Sequence, residues 1–293
     1  TLYYDEDLIL EVRFNMLNKY VDKFIISESR YTHSGLEKKL NFNINNFPEF
    51  KNKIIYLVVD NEPDDLLYEK KNDSNFEKIE HRRINSVKRI AHQRNKLIEG
   101  LTEANDEDFI LYSDNDEMPN FDNFNFEANR NKIVMFKQKL FYYKFNLFCD
   151  RVDWYGTRGC KKKYLLSIDW LRQMKSKKYP FFRFDTIFSK TKYRNIKIIE
   201  NGGWHFTRLQ TPEDIHSKEL DGEHHDEYRL AKKNVARIAD LIKRKSIDHD
   251  HQARTAENKF SKEFKLKTLT MDQMPIFLQQ NTQKYSKWFD FDE

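Results

Sequence analysis

The chain is poor in several features that would classify it at once. Cysteine occurs only twice, at Cys149 and Cys160, without zinc-site spacing or a disulfide framework. Both are expected to be buried thiols, because free cysteine behaves as a small core residue, and a reducing compartment is favoured. Nowhere do some 18 apolar residues run together, so no membrane-spanning helix is expected. No secretory leader is seen at the amino terminus, and the two absences set the expectation of a cytoplasmic protein. Charge of one sign is not dominant: 52 Lys and Arg against 47 Asp and Glu leave a net charge of +5. That balance suits an anionic ligand such as a nucleoside diphosphate, but it lacks the dense basic stripe that nucleic-acid binding calls for. There is no internal repeat and no linker dividing two domains.

What is present is enough for a packed core. With 293 residues, 39% of them hydrophobic, the chain suits one large α/β domain, or a domain with a helical appendage. Aromatic residues make up 15%; they supply core volume and stacking platforms for sugar or base rings. The pattern predicts a largely buried helix over Asp5–Tyr20, a strand over Val21–Ser27, a polar loop over Tyr31–Phe50 and a strand over Ile54–Val59. It continues with a long helix over Phe76–Leu101 and strands over Phe109–Tyr112, Lys132–Phe136, Leu140–Phe145 and Asn195–Ile199. Residues 150–178 read as loop with a helix near Ile168–Met174, and the last third as helical and charged, notably Glu227–Lys245. Strands alternating with helices imply a mixed or parallel sheet flanked by helices, over 1–245, with 246–293 as a helical extension packed on it. Ligands bind such sheets beyond the carboxyl ends of the strands, which here are Ser27-Glu28-Ser29, Asp60 and Ser113-Asp114-Asn115-Asp116.

Three motifs carry chemistry. In Ser113-Asp114-Asn115-Asp116-Glu117-Met118-Pro119 an apolar strand ends in carboxylates at alternating positions. A cation bound to a diphosphate needs hard oxygen ligands, and two such Asp residues can hold the ion and a ribose or water; an acidic turn is the competing reading. In Gly202-Gly203-Trp204-His205-Phe206 the glycines permit close backbone approach. The apolar flanks favour the neutral imidazole that a metal requires. In Ala91-His92-Gln93-Arg94-Asn95 the arginine can grip phosphate oxygens, and Asn95 can bond ribose or base. His249-Asp250-His251 has metal-ligand residue types but reads as a solvated loop, and Cys160-Lys161-Lys162-Lys163 as a solvated face.

Taken in order, these stretches resemble glycosyltransferase family 17, the family of the enzyme that adds bisecting GlcNAc. The resemblance is carried by 7–15 (DLILEVRFN), 21–29 (VDKFIISES) and 31–35 (YTHSG), then by Lys38, Leu40 and Phe42. It continues through Gln93-Arg94-Asn95, the 113–119 motif, Gly203-Trp204-His205-Phe206-Thr207 and His225-x-Glu227-Tyr228. It implies a GT-A type fold and an inverting transfer from UDP-GlcNAc to a glycan or other hydroxyl acceptor. It also implies a divalent metal, with Mn²⁺ favoured and Mg²⁺ the alternative. Carried onto this chain, it makes Asp114, Asp116 and His205 metal ligands, and Ser27, Glu28, Ser29, Arg94, Asn95, Ser113 and Asp114 donor contacts. Tyr31, Trp154, Trp204 and His225 stand as acceptor-side candidates. Glu200, Asp185, Asp153 and Glu117 are candidate bases for the acceptor hydroxyl. Departures from the family pattern at Asp221-Gly222-Glu223-His224 and over 150–178 leave the acceptor unassigned. The competing functions are a glycosyltransferase acting on nucleic-acid bases and an inactive nucleotide-binding module of the same fold. A metal-dependent nucleotidyltransferase or nuclease is a weaker third.

Overall fold

The computed structural model describes residues 1–293 apart from 123, 178, 181, 224, 254–257 and 292–293. The chain enters as a two-residue strand, β1 (Leu2–Tyr3), followed by helix α1 (Asp7–Leu17). The apolar residues of α1 fall on more than one side, and both sides are used. Leu10, Phe14 and Leu17 join one core cluster with Phe24, Ile26 and Phe136, while Ile9 and Val12 join another with Met118, Phe141 and Phe206. Leu10, Val12 and Phe14 are wholly buried, a contribution of about 2 kcal/mol apiece. Arg13 is carried into the interior between them, where its Nη1 donates to the Glu117 carbonyl at 2.6 Å.

Strand β2 (Phe24–Ser29) begins three residues later than its apolar run suggests. Val21 still donates its N–H back to Leu17 at 3.2 Å, so the chain has not yet left the helix end. With β3 (Ile54–Val59), the first three strands form a parallel sheet in the order β1-β2-β3. Helix α2 (Asn75–Lys96) starts at a capping box made by Ser74 and Glu77 and tightens into a 3₁₀ turn over Leu97–Leu101. It lies on β2, where the Gln93 side chain donates to the Ser27 carbonyl at 2.9 Å.

The second half of the domain is a curled mixed sheet. Its strands are β4 (Phe109–Tyr112), β5 (Glu117–Pro119), β6 (Ile133–Tyr142) and β7 (Leu147–Lys161). Helices α3 (Ile168–Gln173) and α4 (Asp185–Phe188) follow, then β8 (Ile196–Ile199) and β9 (Gly203–Thr207). Helices α5 (Pro212–Asp221), α6 (His225–Leu230) and α7 (Val235–Lys243) come next. The chain ends through the short strands β10 (Ser246–Ile247), β11 (Phe264–Lys265) and β12 (Lys267–Thr268) and helix α8 (Ile276–Gln280). The large sheet runs β12-β7-β6-β9-β5, with β4 on β7 and β8 on β6.

Three expectations are corrected here. The two strands expected at 132–136 and 140–145 are one, β6, because the polar residues between them find partners within the sheet. Gln138 is buried and donates to Thr157, and Lys137 pairs with Asp153 and Glu200. Residues 150–161, expected as loop, belong to the longest strand, β7. Its charged and glycine positions hide the alternation, yet it pairs with β4, β6 and β12. The 246–293 segment is not mainly helical: its one α-helix among the described residues spans five residues. The segment contributes β12 to the sheet edge and packs Phe289 on Phe145 at 5.3 Å. No helix among the described residues is long and apolar enough to cross a membrane. Cys149 and Cys160 are buried and free, as expected.

Candidate active site

The acidic turn and the distant imidazole meet because β5 and β9 are antiparallel neighbours, with Glu117 opposite His205. Gly203 makes that approach feasible: it sits at φ +121°, and a Cβ there would lie 2.0 Å from the Met118 carbonyl. The turn is closed by Phe206 N–H donating to the Asp116 carbonyl at 2.9 Å. Asp116 Oδ2 then stands 3.1 Å from His205 Nε2. Burial opposes charge on both groups, but their mutual attraction outweighs it, lowering the Asp116 pKa and raising that of His205. Trp154 covers the imidazole, its ring centroid 4.5 Å away.

Asp114 is engaged differently. It accepts from Tyr112 OH at 2.7 Å and from Arg172 Nη2, and Arg94 Nη2 stands 3.9 Å away. Burial would raise its pKa, but Arg172 and Arg94 together hold it well below the usual carboxylate range. Arg94 is itself oriented by Tyr112 OH and by Asp169 at 3.0 Å. Beneath them lies Glu117, fully buried, which accepts from Trp154 Nε1 at 2.9 Å, Arg172 Nη1 at 3.1 Å and Asp114 N–H at 3.1 Å. Gly156 leaves the space this requires: a Cβ there would come within 1.9 Å of Gln138 Oε1 and 2.8 Å of the Glu117 carboxyl carbon.

These groups open onto a cleft of about 750 Å³ beyond the ends of β2 and β4. Of the expected residues, Ser29, Tyr31, Arg94, Asp114, Asp116, Trp154 and His205 line it. The others do not, for local reasons. Ser27 is buried and bonds the Gln93 carbonyl. Glu28 is consumed in holding the 38–42 loop, accepting from Lys38, the Asn41 and Phe42 N–H groups and Tyr56 OH. Ser113 bonds Thr157 at 2.7 Å, and Asn95 accepts from the first turn of α3 at Asp169 N–H. Trp204 alternates to the far face of β9, where its Nε1 donates to the Gln273 carbonyl. His225 is buried and bonds the Gly222 carbonyl. Asp153 and Glu200 are exposed and share Lys137, and Asp185 sits on the surface between Arg183 and Lys192. His249 and His251 are not in a solvated loop: His251 Nε2 lies 2.6 Å from Tyr142 OH, and His249 packs on Phe260. A second cavity of about 800 Å³ is lined by Phe24 and Ile25 of β2 and by Phe109, Ile110, Leu111 and Tyr112 of β4. Of the expected residues only Ser113 reaches it.

Several residues of the cleft carried no motif. Arg172 is the main one, and its only sequence signal is the i, i+3 spacing from Asp169 that puts both on one face of α3. Asp5 lines the cleft as well; burial and then Glu6 raise its pKa, and it forms no ion pair among the described residues. The Asn115 side chain is buried with no hydrogen-bond partner, as is His205 Nδ1. Among the described residues no group of three His, Cys, Asp or Glu side chains is assembled around a cation. The raised His205 pKa runs against the neutral imidazole expected from its apolar flanks; Asp116 and His205 could supply one oxygen and one nitrogen to a divalent ion only when that ion displaces the proton on Nε2. With Arg94 and Arg172 beside them, these groups can receive an anionic, phosphate-bearing ligand.

The sequence model of glycosyltransferase family 17 matches residues 1–288, and the chain belongs to that family. No curated protein and no solved structure matches it. The protein is therefore a glycosyltransferase, with a sugar donor and an acceptor as its substrates.

Proposed function

We propose that this member of family 17 is a metal-dependent, inverting enzyme of GT-A type that transfers GlcNAc from UDP-GlcNAc to a glycan or other hydroxyl acceptor. One observation carries the reading: the contact between Asp116 and His205 at a cleft that also holds Arg94 and Arg172. Asp116 and His205 would hold the cation, with Mn²⁺ favoured over Mg²⁺ because one donor is an imidazole. When bound, the ion would neutralise negative charge on the departing diphosphate. Arg94 and Arg172 supply the same service from the protein, fixed in place before the reaction by Tyr112, Asp169 and Glu117. Tyr31 and Trp154 offer ring faces at the cleft wall for a sugar.

An inverting transfer needs a base for the acceptor hydroxyl, aligned opposite the leaving group. Most cleft acids are already engaged. Glu6 is paired with Lys218 and Glu219 with Arg208; Asp214 accepts from Thr211 and Asp221 from Ser34. Among the described residues the Asp5 carboxylate receives only the Gln210 amide, at 3.2 Å. A raised pKa and an unpaired carboxylate favour it as the base.

The test is a donor screen with Mn²⁺, reading the nucleotide released from a panel of nucleotide sugars with and without chelator. Chelator-sensitive release from UDP-GlcNAc supports the proposal. Release from another nucleotide sugar alone replaces the donor, and release indifferent to chelator removes the metal. No release from any donor, with or without oligosaccharide acceptors, refutes the reading.

A further inference from the structure

Directly after α3 the chain leaves the body as a loop, 175–191, whose ends are tied together. Lys175 N–H donates to the Thr191 carbonyl at 3.0 Å. Trp170 Nε1 donates to the Lys190 carbonyl at 2.7 Å, and Tyr193 packs edge-on against Trp170. The tip closes around buried Thr186, which donates to the Arg183 carbonyl and accepts from Arg194 Nε. The loop is thus held by its polar atoms, while three of its described apolar side chains are exposed. Phe184 is 70% exposed, Ile187 66% and Phe188 88%. One exposed apolar residue needs no explanation, but three within five residues do.

The charge around them is one-sided. Residues 175–194 contain seven basic residues and one acid, Asp185, which is already held by Arg183 and Lys192. Lys175, Lys177 and Lys190 are exposed and pair with no carboxylate among the described residues. Exposed apolar side chains at the tip and unpaired lysines at 175, 177 and 190 match a surface that is anionic outside and hydrocarbon beneath. Single-stranded nucleic acid would use aromatic faces for stacking, and Ile187 offers none.

We propose that the described tip of this loop, 182–188, docks the protein on anionic bilayers, with Phe184, Ile187 and Phe188 entering the interfacial layer and Lys175, Lys177 and Lys190 meeting lipid phosphates. The inference does not depend on the donor or metal assigned above. Arg172 in the cleft and Lys175 at the loop base are three residues apart, so docking brings the cleft to the bilayer surface.

The test is co-sedimentation of the full chain with phosphatidylcholine vesicles containing about one-third phosphatidylglycerol, and with pure phosphatidylcholine. Binding is expected on the mixed vesicles only, and is expected to weaken at about 0.5 M salt. The double variant Phe184→Ser/Phe188→Ser is expected to lower partitioning by at least about tenfold, and Lys175→Glu/Lys190→Glu to abolish it, both with unchanged circular dichroism. Absence of binding to mixed vesicles by the wild-type chain overturns the proposal. So does equal binding by the folded double variants, or retention on single-stranded DNA without vesicle binding.

Discussion

Replacing Glu117 with glutamine separates two roles that the sequence allows for this residue, reacting base or buried platform. The carboxylate is fully buried, and three donors converge on it: Trp154 Nε1 and Arg172 Nη1 on one oxygen, Asp114 N–H on the other. A glutamine offers one acceptor oxygen. Its NH₂ must turn toward either the Asp114 N–H or the Trp154–Arg172 pair, setting donor against donor. A lost bond to a charged group costs about 1.5–3 kcal/mol. Breaking a buried ion pair outright costs about 3–5 kcal/mol. Arg172 keeps Asp114 as its second carboxylate, so the lower end applies, about 3 kcal/mol in all. With a urea slope of about 3 kcal/mol/M, the midpoint of unfolding falls by about 1 M. Urea titration followed by tryptophan fluorescence and far-ultraviolet circular dichroism reads this directly. An unmoved midpoint together with a turnover loss of about a hundredfold or more would identify a reacting group and sink the platform argument.

Asp116→Asn and His205→Ala should each weaken metal-dependent UDP-GlcNAc binding, measured calorimetrically, by at least about tenfold; full affinity in both variants removes the proposed cation ligands. Gly156→Ala forces a methyl group against Gln138 and Glu117 and should cost about 1–3 kcal/mol, so an unchanged melting temperature would contradict the packing described. Asp5→Asn should reduce turnover by about a hundredfold or more while leaving calorimetric donor affinity within about twofold; wild-type turnover would return the search for the base to the other cleft acids, Glu223 first.

The residues gathered at the candidate site are more legible in the sequence than the sheet is. Asp114, Asp116 and His205 were legible because each sits at a strand end or beside paired glycines, where residue type and local geometry speak together. Their meeting required only that β5 and β9 be neighbours. What stayed hidden depends on long-range partners. Glu28 and Ser27 read as strand-end ligands, yet the 38–42 loop and α2 claim them. Trp204 differs from His205 by one position, and strand alternation sends them to opposite faces. The strand β7 was missed because Asp150, Arg151 and Asp153 break an apolar pattern that survives only on the buried side. Arg172 lay on a six-residue helix without a motif. Its importance comes from the two carboxylates it spans, Asp114 and Glu117.

Charge accounting links the fold to the reaction class. Arg13, Arg94, Arg158 and Arg172 surround Asp114, Asp116 and Glu117, and each feels at least one of those carboxylates. Asp114 and Glu117 are spent on arginines, leaving Asp116 with His205. Burial, reinforced by Arg172 nearby, pushes the Arg158 pKa down to about 10, and its Nε and Nη1 are buried without a partner. A buried charge is favourable only when matched. On the proposed reading, a dianionic diphosphate in the cleft would face the positive charge of Arg94 and Arg172, which line it. A site assembled this way holds its cations in advance of the leaving group, so little reorganisation remains when charge develops. On the proposed reading that arrangement would serve any sugar the diphosphate carries, so the residues that would meet the anion are easier to name from this chain than those for the sugar or the acceptor.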